Sequence, residues 1–252
     1  MSPSRSTFVK SHLLCLSGQR ITMSIQGEGD PLLVINGLSR PMQSWDPFAS
    51  ELPGRTVISF DAPGIGGSPT PLRPLLISEL ATIAVAVLDA AELEQADILG
   101  YSHGGAIAQQ LAHDAPGRVG GLILAATSCG VGATPGVTAD VIRHLGRSLD
   151  GKPWPLPDPL GLLWQTLAVA NWSSIPFLGS IKAPTLIVCG SRDSVVPPSN
   201  SHVLARRIPN ATLVMLPGRG HDLQRGDSAK ALARAVNRFS PARRAVQRLA
   251  AG

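Results

Sequence analysis

Ser102 stands in the stretch ILGYSHGG (98–105), with a glycine two residues to either side and a third at 105. A serine hydroxyl is a poor nucleophile until a base takes its proton and a carboxylate orients that base. Two later stretches carry such groups: IVCGSRDSVVP holds Asp193 and LPGRGHDL holds His221. Serine, then acid, then histidine is the chain order of a nucleophile set on a strand-to-helix turn. That turn is sharp, so Gly100 and Gly104 are the small neighbours it needs. Taken singly, His221 reads as a surface histidine and Asp193 as a helix cap. Together with Ser102, each following a separate strand, they point to acyl transfer. Asp222 competes with Asp193, but adjacent residues in one loop seldom face each other, so Asp193 is the expected acid. Asp61, in FDAPGIGGS, is expected to fix its own loop.

Acyl transfer also needs donors for a developing oxyanion. The N–H of His103, just after the serine, is one candidate. Leu38 in NGLSRPMQSW is the other, with Gly37 allowing a tight bend. Gly37, Met42, Trp45, Trp164 and Trp172 are candidates to line a substrate pocket, the tryptophans equally to pack an insertion. The G-x-G of PGIGGS lacks the third glycine of a dinucleotide fingerprint, so no nucleotide cofactor is expected.

These groups need a scaffold that brings them to one edge. Residues 32–36, 56–61, 96–101, 121–127, 185–190 and 212–217 are short, branched and apolar, and read as buried strands. Residues 75–91, 104–115 and 226–239 suit helices. The alternation predicts an α/β domain with a mostly parallel sheet covered on both faces, with ligands beyond the strands' carboxyl ends. Residues 1–128 and 181–252 form the expected core. Residues 129–180, rich in Gly and Pro and holding Trp154, Trp164 and Trp172, break the rhythm and read as a lid.

The 252 residues, 44% hydrophobic and 15% charged, suffice for one large core. The net charge is +5, with basic residues gathered late in the chain, ending in SPARRAVQRLAAG (240–252). With no nucleic-acid-binding signature, that tail reads as a solvated surface. Cys15, Cys129 and Cys189 have no disulfide or metal-ligand spacing. No metal is expected. The N-terminal apolar run, HLLCL, is too short for a signal peptide, and glycines and Pro135 interrupt the uncharged stretch 119–139. A cytoplasmic protein with no membrane partner is expected.

The succession LLVINGL, FDAPGIGGS, GYSHGG, GSRDSVVP and GRGH resembles the α/β-hydrolase superfamily over nearly the whole chain. GGAIAQQLAHDAPGRVGGLILAATSCGVGATPG and ANWSSIPFLGSIKAPTLIV are similar to the intracellular medium-chain polyhydroxyalkanoate depolymerases and their esterase relatives. The resemblance implies a serine esterase with Ser102 as nucleophile, His221 as base and Asp193 as orienting acid. Two departures stand out: His103 replaces the tryptophan usual in those depolymerases, and the insertion is shorter between Gly136 and Asp158. The shorter insertion favours a small ester over a polymer. The expected reaction is hydrolysis of a short- to medium-chain acyl or hydroxyacyl ester through an acyl-enzyme. The same scaffold also serves lactone, thioester and C–C hydrolysis, cofactor-free perhydrolysis and ligand binding without catalysis.

Overall fold

Eight strands and seven helices are laid out in a computed structural model that describes residues 10–16, 18–146 and 158–239. The strands are β1 (Lys10–Leu16), β2 (Gln19–Gln26), β3 (Asp30–Ile35), β4 (Arg55–Phe60), β5 (Ala96–Tyr101), β6 (Val119–Ala125), β7 (Thr185–Gly190) and β8 (Ala211–Leu216). They make one sheet in the order β1-β2-β4-β3-β5-β6-β7-β8. From β4 onward in that order, neighbours run parallel; β1–β2 and β2–β4 are antiparallel.

The six apolar runs read as strands all form, each within two residues of the expected bounds. The N-terminal hairpin β1–β2 was not expected. Its second strand, QRITMSIQ, buries Ile21 and Met23 in alternation with more exposed neighbours. An antiparallel strand with one solvated face carries this period-2 pattern rather than a continuous apolar run.

Alternation along the inner strands sorts side chains onto two faces. Leu33 and Ile35 of β3, Ile98 of β5 and Leu122 and Leu124 of β6 join one core, with α2 (Ile77–Ala90), α3 (His103–Asp114) and α6 (Pro198–Arg207). Leu32, Val34, Leu99, Ile123 and Val188 join the other, with α1 (Asp46–Ala49) and α7 (Gly226–Phe239). Full burial of each Leu or Ile contributes roughly 1.5–3 kcal/mol.

The connection from β6 to β7 carries α4 (Thr138–Gly146) and α5 (Pro159–Ala170). Its first half docks on the loop after β7 and on α6: Val137 N–H donates to Ser194 O (2.8 Å), and Thr134 and Asn200 exchange two hydrogen bonds (2.8 and 2.9 Å). Its second half docks on the loop after β4. Gln165 Nε2 donates to Pro63 O, Trp164 Nε1 donates to Pro71 O, and Thr70 bonds Asp158. Gly64 and Gly161 touch so closely that a Cβ on either would strike the other's backbone. Trp154 and the tail 240–252 lie outside the described residues. Among the described residues, no helix is long and apolar enough to cross a membrane.

Candidate active site

The parallel register brings the carboxyl ends of β3, β5, β7 and β8 to one edge, and the candidate groups follow those ends. Ser102 links Tyr101 of β5 to His103 of α3 with φ +52° and ψ −118°. Such a backbone is costly for a residue with a Cβ and persists only where its surroundings over-determine it. Those surroundings are visible. Ser102 N–H donates to Ala125 O (2.9 Å), and Thr127 Oγ1 donates to Ser102 O (2.7 Å). A side chain on Gly100 would meet Gly104 O and Gly105, and one on Gly104 would strike Ile35 O. The glycine pattern is thus a packing requirement of the turn.

Asp193 leaves β7 and His221 leaves β8. Gly190 lets the two loops touch, since a Cβ there would strike the carbonyls of Arg219 and Gly220. Arg192 N–H donates across to Arg219 O (2.9 Å). Asp193 Oδ1 accepts the N–H groups of Val195 and Val196 (2.9 and 2.8 Å), which turns Oδ2 toward His221 Nδ1 at 2.8 Å. His221 Nε2 then stands 3.1 Å from Ser102 Oγ. The acid and the imidazole are buried, whereas Ser102 keeps partial exposure. Asp222 turns away, its Oδ1 lying 3.4 Å from His144 Nδ1.

Gly37 presses against the elbow: a Cβ there would lie 2.9 Å from the Tyr101 ring and 3.3 Å from Ser102 Cβ. The loop that carries Gly37 and Leu38 is built around Asn36. Asn36 Nδ2 donates to the carbonyls of Arg40 and Pro41, and Oδ1 accepts from Gly37 N–H and Trp45 Nε1–H (both 2.7 Å). Asp61 fixes two loops at once, accepting Met42 N–H (2.7 Å) and Gly67 N–H (2.9 Å). The His103 N–H belongs to the first turn of α3, where a helix offers no internal partner.

The remaining candidates sit elsewhere. Trp45 is core, edge-on to Phe48 and Tyr101. Met42 is buried beside it in the short helical turn 42–45. Trp164 ties α5 to the loop after β4 through its indole N–H, which donates to Pro71 O (3.2 Å). Trp172 bonds Gln110 on α3 and meets Phe177 edge-on. Spacing shows that a tryptophan is available for packing, not which way it points.

Three contributors were not singled out from the sequence. Tyr101, fully buried, donates its hydroxyl to His221 O (3.1 Å), and its ring lies 5.2 Å from the imidazole. Burial, then the charges of Asp222 and Asp193, hold its phenol well above the usual range, so it stays a donor. Its signal was an aromatic residue just before the candidate nucleophile. Asn36, ending LLVIN, was equally visible. His144 on α4 lies edge-on to His221 at 4.7 Å, and Arg40 holds the His144 carbonyl at 2.5 Å. No sequence pattern marked that contact.

The model of the alpha/beta hydrolase fold matches residues 30–148 and 159–225, most of the chain. The chain belongs to the α/β-hydrolase fold family. The hydrolase is 36% identical over 212 residues to a poly(3-hydroxyalkanoate) depolymerase from Ectopseudomonas oleovorans, covering 73% of this chain and 75% of that one. It also resembles the crystal structure of a hydrolase from Pseudomonas aeruginosa PA01, with a TM-score of 0.80 and 26% identity over 91% of this chain and 97% of that one. The enol-lactonase from Burkholderia xenovorans LB400 shares the fold, with a TM-score of 0.81 and 22% identity over 90% of this chain and 99% of that one.

Two histidines, His103 buried and His144 partly buried, give the hydrolase an acid sensitivity. Burial lowers His103 to about 4, the backbone of Gln165 working the other way. Burial and then the His221 charge lower His144 to about 4, against Asp222. A histidine that is harder to protonate when folded leaves stability intact above the unfolded value near 6.5. That stability is lost as pH falls through 4, because the unfolded chain binds the extra protons. Each group can cost up to about 3 kcal/mol. Asp61 and Asp97, raised by burial, act in the opposite sense over part of that window, so the readout is a difference. Urea unfolding at pH 7 and pH 4 is expected to show His103→Phe gaining roughly 2–3 kcal/mol on the wild type at the lower pH. An unchanged difference means that His103 is not buried in its neutral form.

Proposed function

We propose that the protein is a serine esterase cleaving short- to medium-chain acyl or hydroxyacyl esters through an acyl-enzyme. The observation that carries this reading is the continuous relay from Asp193 Oδ2 to His221 Nδ1 (2.8 Å) and from His221 Nε2 to Ser102 Oγ (3.1 Å). His221 takes the Ser102 proton as Oγ attacks the ester carbonyl carbon. Asp193 holds the imidazole in the tautomer with a proton on Nδ1 and stabilises the imidazolium that follows. The N–H groups of Leu38 and His103 receive the oxyanion, and a helix N-terminus beside it favours negative charge. His221 then gives its proton to the leaving alkoxide, and the alcohol departs. Water, deprotonated by His221, attacks the acyl-enzyme and releases the acid, restoring Ser102. Every step uses groups of the chain itself.

Residues 129–180 act as the lid in this reading, anchored at both ends as described, and the partner is a small-molecule ester. Likeness to the poly(3-hydroxyalkanoate) depolymerase supports ester chemistry on a hydroxyacid in this reading. The test is active-site titration with a fluorophosphonate, followed by peptide mapping. Stoichiometric labelling at Ser102, with turnover of p-nitrophenyl butyrate or octanoate, is the expected result. Labelling without ester turnover, alongside activity on lactones, thioesters or peroxide in parallel arms, redirects the reading to those reactions. Failure to label Ser102 overturns it.

A further inference from the structure

Away from the candidate active site, α7 leaves a groove along β8. β8 is the last strand of the sheet, so no further strand lies beside it. Its side chains alternate. Leu213 turns to the core that holds α6, whereas Val214 and Leu216 turn to the core that holds α7. On α7, Leu232, Ala233 and Val236 are buried, but Ala231 and Ala235, one turn apart, are only half-buried. Their methyl groups are too short to fill the space in front of the strand. A cavity of about 510 Å³ remains there, with Ala231, Ala235, Val214, Leu216 and Phe239 in its wall. That volume is in the range of small-molecule sites, which are concave and mostly apolar with a few polar groups.

Three arginines, Arg219, Arg234 and Arg238, line the same cavity. Arg219 lies 3.7 Å from the exposed Asp227. Arg234 and Arg238, one turn apart and exposed, have no carboxylate partner among the described residues. Like charges one helical turn apart repel, and an anion between them relieves that cost. An apolar trough edged by cations suits a ligand with an apolar body and an anionic end. The planar guanidinium matches a carboxylate in particular, with two parallel N–H groups. The chain does not supply such an occupant from its own end: residues 240–252 follow Phe239 and carry Arg243, Arg244 and Arg248 with no acid. A second copy docked through the same face would bring its own arginines against these.

We propose that this groove is a second binding site, which takes the free carboxylate of a medium-chain fatty acid. The acyl chain lies along Val214 and Leu216 beside Ala231 and Ala235, and the carboxylate pairs with Arg234 and Arg238. From Thr212 to Leu216 the strand spans roughly 13 Å, which is length for such a chain. The site is independent of the esterase reading, since none of its side chains belongs to the relay.

The experiment measures laurate binding to the full chain by calorimetry, below the concentration at which laurate forms micelles. A laurate analogue with a diazirine at the chain end, photolysed and peptide-mapped, locates the contact. Saturable binding is expected, with the label in 211–219 and 226–239. Dodecanol and dodecyltrimethylammonium should bind at least about tenfold more weakly, because they lack the anion. Arg234→Glu with Arg238→Glu should weaken laurate at least about tenfold by charge. Ala235→Leu should do the same by filling the groove, and Ala231→Leu replaces it if that variant fails to fold. Circular dichroism of each variant checks the fold, and no readout requires turnover, so failure of the esterase reading leaves the test intact. Absence of saturable binding overturns the proposal. So does label confined to the loops around Ser102 and His221 or to residues 240–252. Dodecanol binding as tightly as laurate, or variants within about twofold of wild type, also overturns it.

Discussion

Ser102→Ala is expected to lower kcat for ester hydrolysis by about 10⁴–10⁶-fold while the protein stays folded. The size follows from what the substitution removes. In the proposed mechanism Oγ forms the acyl bond, and its described hydrogen bond is the one to His221 Nε2. The backbone bonds that fix the turn, from Ser102 N–H to Ala125 O and from Thr127 to Ser102 O, do not involve that side chain. Alanine has the same Cβ at φ +52°, so backbone strain is unchanged. Thermal unfolding should therefore shift little, since substitutions that break no packing or buried network stay near ±0.5 kcal/mol. Residual turnover should still exceed the rate in water, because the oxyanion donors remain. Turnover of p-nitrophenyl butyrate within tenfold of wild type would show that Ser102 is not the nucleophile.

Asp193→Asn is expected to cost about 10⁴-fold in kcat/KM at neutral pH, despite keeping almost the same shape. The cause is directional. Val195 and Val196 present two N–H donors to Oδ1, so that position must remain an acceptor. The amide nitrogen of asparagine is then forced to the other position, 2.8 Å from His221 Nδ1, where it donates. The imidazole responds by carrying its proton on Nε2, which then cannot accept one from Ser102. Asp193→Ala removes the orientation without imposing the wrong tautomer, and should be no worse. Proton NMR of the imidazole in the asparagine variant should show the Nε2-protonated form. Activity of Asp193→Asn within tenfold of wild type would remove Asp193 from the relay. Asp222 is a poor replacement, since it faces His144 instead.

The contact between His144 and His221 ties the β6–β7 connection to the candidate base. Arg40, on the loop that carries Leu38, holds the last turn of α4 through the His144 carbonyl. The loop that carries Leu38, the insertion and the imidazole thus share one set of contacts. Displacement of α4 would disturb all three.

Most of the sheet was readable from order alone, because parallel strands buried on both faces are unbroken apolar runs. The N-terminal hairpin was not, because a strand with one wet face shows only weak alternation. The likeness of the chain to α/β-hydrolases and the candidates Ser102, Asp193 and His221 were also legible. Each sits just past an apolar run, and strand ends in a parallel sheet converge. Direction was not legible. The sequence offers both Asp193 and Asp222 as partners for the imidazole, yet two backbone N–H groups aim one at it, and the other lies against His144. It marks Trp45, Trp164 and Trp172 as large and apolar, while packing turns Trp45 into the core and the other two onto neighbouring helices and loops. Residue type and spacing therefore determined which groups this protein has and in what order they meet. Only the tertiary structure decided which of them face one another, because side-chain direction is set by contacts between segments far apart in the chain.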